Sequence, residues 1–237
     1  MNGSAFVYTG RDNLAAMRAA IRYNAFLAAL VEAHAPKAGD WLDFGAGEGQ
    51  FSRLFHQRGR NVMAVEADEA LARINESAGV PTRRALDSVE DASIDYVYSL
   101  NVLEHIEEDE AVLRELRHKL RPGGRLFIYV PAFPLLYSSM DQLVGHHRRY
   151  SRSGLQDVLS TAGFAVRSSR YVDCLGFLAA LVYKALPDRG GAVTPAQVAA
   201  YDRWVLPISL RLDRLLARWV GKNLIAIAEV PDRTIGG

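Results

Sequence analysis

The stretch Asp40–Phe51, DWLDFGAGEGQF, decides the fold. Trp41, Leu42 and Phe44 around Asp43 read as a short buried strand. Gly45, Gly47 and Gly49 then alternate with other residues, and Gln50 to about Arg58 reads as a helix. Glycine lets the chain turn tightly and lets a ligand approach the backbone. In open α/β sheets ligands bind at the carboxyl ends of the strands, where this turn lies. The spacing is G-x-G-x-G rather than the G-x-G-x-x-G of dinucleotide binding, and no Lys-Ser/Thr pair follows it as a phosphate loop requires. A carboxylate at the strand end, Asp43, suits a ligand with a cationic amino group.

The same alternation continues along the chain. NVMAVEA is a second strand, followed by a helix near 68–77; PTRRAL is a short third strand; SIDYVYSLN is a fourth. EEDEAVLRELRHKL carries Val112, Leu113, Leu116 and Leu120 on one helical face, and RPGG is expected to stop it before the fifth strand, RLFIYVPA. SRSGLQDVLSTAGF is a serine-capped helix, AVRSSRYVD a strand and NLIAIAEV the last strand. Upstream, residues 12–35 read as one helix capped by Asp12. The expected fold class is α/β: a doubly wound, seven-stranded, mostly parallel sheet with an antiparallel last strand. We expect a single domain over 1–237, with an N-terminal helical cap (1–35), a core (36–172), a helical insertion or lid (173–220) and the last strand (221–230).

The chain has 237 residues, 49% hydrophobic, with net charge +1. That suits one large domain, and the low charge argues against generic nucleic-acid binding. Its one cysteine, Cys174, excludes a disulfide framework and fits a reducing cytoplasm. No secretory signal is read in MNGSAFVYTGRDN, and CLGFLAALVYKALP is too short to span a bilayer. LPISLRLDRLLARWV sets Leu210, Leu215, Leu216 and Trp219 opposite Arg211, Arg214 and Arg218. Such a helix lies on a membrane, covers an apolar substrate, forms a dimer contact, or packs on the core with a solvated arginine face.

Asp43-x-Gly45-x-Gly47-x-Gly49 resembles motif I of class I S-adenosylmethionine-dependent methyltransferases. Glu66 in VMAVEAD, Asp87 in RALDSVE, IDYVYSLNVLEHI and LRPGGRLFIYVP resemble the later motifs in order. The resemblance implies that Glu66 and Ala67 meet the ribose and that Asp87 and Ser88 meet the adenine. Leu100 and Asn101 would line the cofactor after the fourth strand. Tyr8, Asn13, Met17 and Tyr23 are candidates to close over the cofactor from the N-terminal segment, or else to pack it.

The segment VPAFPLLYSSMDQLVGHHRRYSRSGL (130–155) resembles a bacterial subgroup with a Gly-His-x-Arg-Arg-Tyr pattern. Following the fifth strand, it falls where this family recognises its acceptor. His146 is the leading candidate for a general base or acceptor-orienting group, with His105 and Tyr150 as further catalytic candidates. Tyr137, Asp141, His147, Arg148 and Arg149 are candidate substrate contacts, and each arginine reads equally as a loop latch. No metal site is expected, because adjacent His146 and His147 do not share a face and acids such as Asp141 and Asp173 are few in the sequence around them. The expected activity is methyl transfer to a small-molecule, lipid-linked or peptide acceptor, with oxygen favoured over nitrogen or carbon. The rivals are a nucleotide-cofactor oxidoreductase and a non-catalytic cofactor-binding protein. A monomer or homodimer, without nucleic acid and with membrane-surface contact left open, completes the expectation.

Overall fold

The computed structural model describes residues 17–185 and 194–232. Helix α1 (Ile21–His34) precedes β1 (Asp40–Phe44), α2 (Gln50–Gln57), β2 (Asn61–Val65), α3 (Glu69–Ser77) and β3 (Thr82–Arg83). Then come β4 (Ile94–Leu100), α4 (Asp109–Lys119), β5 (Leu120–Pro131), α5 (Ser139–Leu143), α6 (Arg152–Thr161) and β6 (Ala165–Val172). Helices α7 (Cys174–Ala185), α8 (Pro195–Ala200) and α9 (Leu206–Leu216) lead to β7 (Asn223–Glu229). The seven strands run in the order β3-β2-β1-β4-β5-β7-β6. Strand β7 is antiparallel to β5 and β6, and the other pairings are parallel. The order reverses between β1 and β4, so the switch point opens beside the glycine turn.

The strands alternate two kinds of core. Trp41, Tyr96, Tyr98, Phe127 and Tyr129 face α1 and α2 and pack with Leu27, Val31 and Phe55. Leu42, Val97, Leu126 and Ile128 face the other way, against Leu113 and Leu116 of α4 and Leu155 and Leu159 of α6. Period-two alternation on strands sandwiched between helices makes both faces apolar. Capping also follows the sequence at two helices. Asp68 accepts from Ala70 and Leu71 N–H at α3, and Ser151 accepts from Gly154 N–H at α6.

Three expectations change. The expected N-terminal helix is interrupted at 18–20, between helical Met17 and α1, and the expected Asp12 cap lies outside the described residues. The first amides of α1, Arg22 and Tyr23 N–H, instead donate to the Asp202 carboxylate from the far segment, at 2.9 and 2.7 Å. The third strand shrinks to two residues. The run Arg121–Gly124 does not separate helix from strand: α4 ends at Lys119 and β5 begins at Leu120, with its register against β4 shifting between Ile94 and Tyr96. Among the described residues no helix is long and apolar enough to cross a membrane.

Candidate active site

The glycine turn rises from the end of β1. Gly45 and Gly49 have φ of +77° and +73°. A Cβ on Gly45 would stand 2.4 Å from a Val102 methyl, and one on Gly49 would stand 1.5 Å from Asn75 Oδ1. Both positions therefore require glycine for conformation and for space. Asn75 is fully buried and donates to the Gly47 carbonyl at 2.8 Å and the Leu71 carbonyl at 2.9 Å, tying the turn to α3.

Two buried carboxyls flank this turn. Asp43 accepts the Ser52 hydroxyl, and burial pushes its pKa up to about 7, with the nearby Glu66 adding to the rise. Tyr98 sets its buried hydroxyl close enough to Asp43 to feel its charge, without hydrogen-bond geometry. Glu66 follows β2 and accepts Gly47 N–H at 2.7 Å and Asp68 N–H at 2.9 Å. Burial raises the Glu66 pKa against those two donors. A cationic ligand between Asp43 and Glu66 would hold both ionised. The two amides use part of the roughly four acceptor sites of the Glu66 carboxylate, which leaves capacity for vicinal hydroxyls.

Ala67, Asp87, Ser88, Leu100 and Asn101 sit at or after the ends of β2, β3 and β4. Ala67 is exposed and its carbonyl accepts from Arg84. Asp87 and Ser88 are exposed in the 3-10 turn Leu86–Ser88 after β3. Leu100 ends β4, and Asn101 takes a left-handed φ of +55° while its N–H donates to the Tyr129 carbonyl at 2.8 Å. Met17 sits at the surface, and Tyr23 donates its hydroxyl to Tyr129 Oη at 3.0 Å, edge-on to that ring. Tyr8 and Asn13 lie outside the described residues. An ion pair that the motifs did not indicate, Arg18 with Glu48 (Nε to Oε2 2.8 Å), fastens the start of the described chain to the glycine turn.

Across that edge, the segment after β5 meets the segment after β4. Asp141 is buried in α5; its Oδ1 lies 2.7 Å from His146 Nδ1 and accepts Arg149 Nε at 2.8 Å. Burial works to raise the Asp141 pKa, but His146 and Arg149 outweigh it and hold the carboxyl below its ordinary range. The His105 ring stands edge-on to His146 with centroids 4.6 Å apart, its Nδ1 3.2 Å from the Gly145 carbonyl. Burial, then the neighbouring His146, lowers the His105 pKa to about 4. Glu104 is 0% exposed, and neither carboxylate oxygen has a hydrogen-bond partner. Its Oε1 lies 3.8 Å from His146 Nε2. Burial pushes Glu104 up to about 8, with Arg149 opposing.

The remaining residues of this segment hold the loop. Tyr150 is buried in the core and donates to Asp109 Oδ2 at 2.7 Å and to the Leu103 carbonyl at 3.2 Å. Arg148 pairs with Asp109 at 3.0 Å, and Tyr137 donates to the His146 carbonyl at 2.7 Å. The His147 side chain is exposed, and its N–H donates to the Glu104 carbonyl at 2.8 Å. The geometry thus gives Tyr150 and Arg148 anchoring contacts, and gathers His105, His146, Asp141 and Glu104. Sequence reasoning missed Glu104. A carboxylate four residues past the end of a buried strand was the available sign, but its meeting with His146 is made by the fold.

The family model described as a methyltransferase domain matches residues 15–169. A Mycolicibacterium smegmatis protein named "Probable S-adenosylmethionine-dependent methyltransferase" is 29% identical over 70% of this chain and 66% of its own length. A ubiquinone biosynthesis O-methyltransferase of Xanthomonas oryzae pv. oryzae is 31% identical over 37% of this chain. The matched stretch spans 41% of that protein, so the chain matches less than two thirds of these relatives. The S-adenosylmethionine-dependent methyltransferase of Mesorhizobium loti has the same fold, with TM-score 0.58 and 22% identity over 84% of this chain and 95% of that one. So does the geranyl diphosphate C-methyltransferase of Streptomyces coelicolor with bound S-adenosylhomocysteine, with TM-score 0.61 and 16% identity over 87% and 77%. Glycine turn, strand-end carboxyls and family match agree: the chain belongs to the methyltransferase domain family, and its cofactor is S-adenosylmethionine.

Proposed function

We propose that this chain is an S-adenosylmethionine-dependent methyltransferase acting on an oxygen of a small or medium-sized acceptor. The observation that carries the reading is His146, braced by Asp141 across the sheet edge from the glycine turn. When bound, the cofactor supplies an electrophilic methyl on a cationic sulfur. Glu66 and the turn hold the ribose side, and Asp43 favours the amino group. Acids placed beside sulfur would stabilise the ground state, since the positive charge fades toward the transition state. Fixing acceptor and methyl in line is then the main source of rate, worth at most about 7–11 kcal/mol. With its Nδ1–H donated to the Asp141 carboxylate, His146 keeps an unprotonated Nε2, beside Glu104, for an acceptor hydroxyl that must lose its proton. The O-methyltransferase relatives support oxygen as the acceptor atom.

The acceptor class is lipid-linked and met at a membrane surface. Trp204, Ile208, Leu212, Leu215 and Trp219 recur at helical spacing and are 66, 50, 36, 72 and 66% exposed. Arg203, Arg211, Arg214 and Arg218 are exposed around them, while both acids of residues 194–222, Asp202 and Asp213, are buried. A face that is apolar and purely cationic suits an anionic bilayer, and self-pairing would oppose like charges.

Calorimetry with S-adenosylhomocysteine, followed by turnover of His146→Ala, tests the reading. Binding is expected, with turnover down about 10²–10⁴-fold and cofactor affinity kept. Wild-type turnover in the variant returns His146 to a structural role. Binding of NAD(P) without S-adenosylhomocysteine overturns the reading in favour of an oxidoreductase, and cofactor binding without turnover on any acceptor favours a silent binding protein.

A further inference from the structure

Glu104 carries the inference. A carboxylate sealed from solvent with both oxygens unpartnered is costly, and native structures compensate such groups. Here one nitrogen each of His105 and His146 and one Glu104 oxygen lie within 4.8 Å of one another. We propose that Glu104, His105 and His146 form a binding site for a divalent transition-metal ion, with its open positions facing the acceptor. The proposal rests on the reading of this edge as the acceptor side.

Three features favour an ion over a plain hydrogen-bonded cluster. The His146–Glu104 separation, 3.8 Å, is too long for a hydrogen bond. Ligand atoms about 2.1 Å from a tetrahedral ion stand roughly 3.4 Å apart, so only a small closing movement is needed. Each ring also has the outer support that metal-bound histidines carry. His146 Nδ1 faces the Asp141 carboxylate and His105 Nδ1 faces the Gly145 carbonyl, which places the protons on Nδ1, and His146 Nε2 lies toward Glu104. Two imidazoles and one carboxylate suit zinc, cobalt, iron or manganese better than magnesium. The supports are rigid in turn: Asp141 Oδ2 accepts Ser138 N–H at 2.9 Å in the α5 capping box, and Arg149 balances the charge of Asp141. An ion so placed would bind one or two acceptor oxygens and acidify a hydroxyl, giving His146 its part in the reaction as a ligand rather than as a free base.

The test uses the metal-stripped full chain titrated with Zn²⁺ and Mg²⁺ by calorimetry, and with Co²⁺ by its visible absorption. One Zn²⁺ per chain is expected, bound tightly enough to exclude Mg²⁺, with a Co²⁺ spectrum of low-coordinate nitrogen and oxygen ligands. Glu104→Gln and His105→Ala are expected to lower Zn²⁺ affinity more than about 100-fold, and Asp141→Asn about 10–100-fold. Thermal unfolding and S-adenosylhomocysteine binding of each variant establish that it is folded. Absence of Zn²⁺ binding in a wild-type chain that binds S-adenosylhomocysteine overturns the metal site alone. Affinity unchanged in both Glu104→Gln and His105→Ala overturns it too. A wild-type chain that binds Zn²⁺ at these residues but no S-adenosylhomocysteine keeps the metal site and sinks the methyltransferase reading.

Discussion

Gly49→Ala is expected to cost about 3–5 kcal/mol, a large share of the roughly 5–15 kcal/mol that holds a typical domain folded. Two contributions add. The left-handed backbone at Gly49, φ +73°, costs any residue with a Cβ about 1–2 kcal/mol. The new methyl would also stand 1.5 Å from Asn75 Oδ1, so the Asn75 side chain must move. Moving it breaks two buried hydrogen bonds, to Gly47 and Leu71, at about 1 kcal/mol each and more if the carbonyls stay dry. Gly79→Ala isolates the first contribution: φ is +81° there and nothing lies within 4 Å of a Cβ. In an Asn75→Ala background the collision is gone, and Gly49→Ala should then cost no more than Gly79→Ala, a coupling of about 2 kcal/mol. Urea unfolding followed by circular dichroism measures the wild type and all four variants, and calorimetry with S-adenosylhomocysteine should show weaker binding for Gly49→Ala. If Gly49→Ala and Gly79→Ala destabilise equally in the wild-type background, the link between the glycine turn and α3 is refuted.

Asp43 titrates near 7 when folded against an ordinary 3.8, so its protonated form is favoured by folding. That contribution is fully present below about pH 4, fades as pH rises to about 7, and amounts to at most about 4 kcal/mol. Asp43→Asn should flatten the stability profile across this window, and an unchanged profile in urea titrations at several pH values would show that Asp43 ionises normally. Tyr150→Phe removes the hydrogen bonds to Asp109 and Leu103 and should cost about 1–2 kcal/mol in thermal unfolding. Cofactor affinity and turnover should hold; lost turnover at full stability would restore Tyr150 as a catalytic group. Asp202→Ala uncaps α1 and should cost about 1–2 kcal/mol, read as faster hydrogen exchange at the Arg22 and Tyr23 amides. Vesicles of phosphatidylcholine with phosphatidylglycerol should sediment the wild-type chain but not Trp204→Ala/Trp219→Ala, and salt should weaken binding. Failure of the wild-type chain to sediment with these vesicles, or a dimer that hides Trp219, would remove the membrane contact.

Local chemistry made the sheet legible. Strand, glycine turn, cap and helix each announce themselves within a few residues, so Asp43, Glu66 and the carboxyl edge could be placed from DWLDFGAGEG and VMAVEAD alone. Periodicity tells which residues of a helix share a face but not where that face points, and α9 shows the consequence. Its inward positions are Leu206, Ser209 and Asp213, while Ile208 and Leu215 face out. The polar pair is inside because it has work there: Asp213 accepts the N–H groups of Asp173 and Cys174, and Ser209 bonds Leu175 N–H and the Asp173 carboxylate. Those amides belong to the start of α7, more than thirty residues earlier. The same distance hides the acceptor side. His146 and His147 read as unfit for a metal from their neighbours in sequence, and the partners we propose for His146, Glu104 and His105, come from the turn after β4. Parallel sheets gather the ends of distant strands at one edge. Residues chosen for such an edge have no reason to be close in the chain, and an unpartnered carboxylate like Glu104 shows only when the fold has sealed it from water.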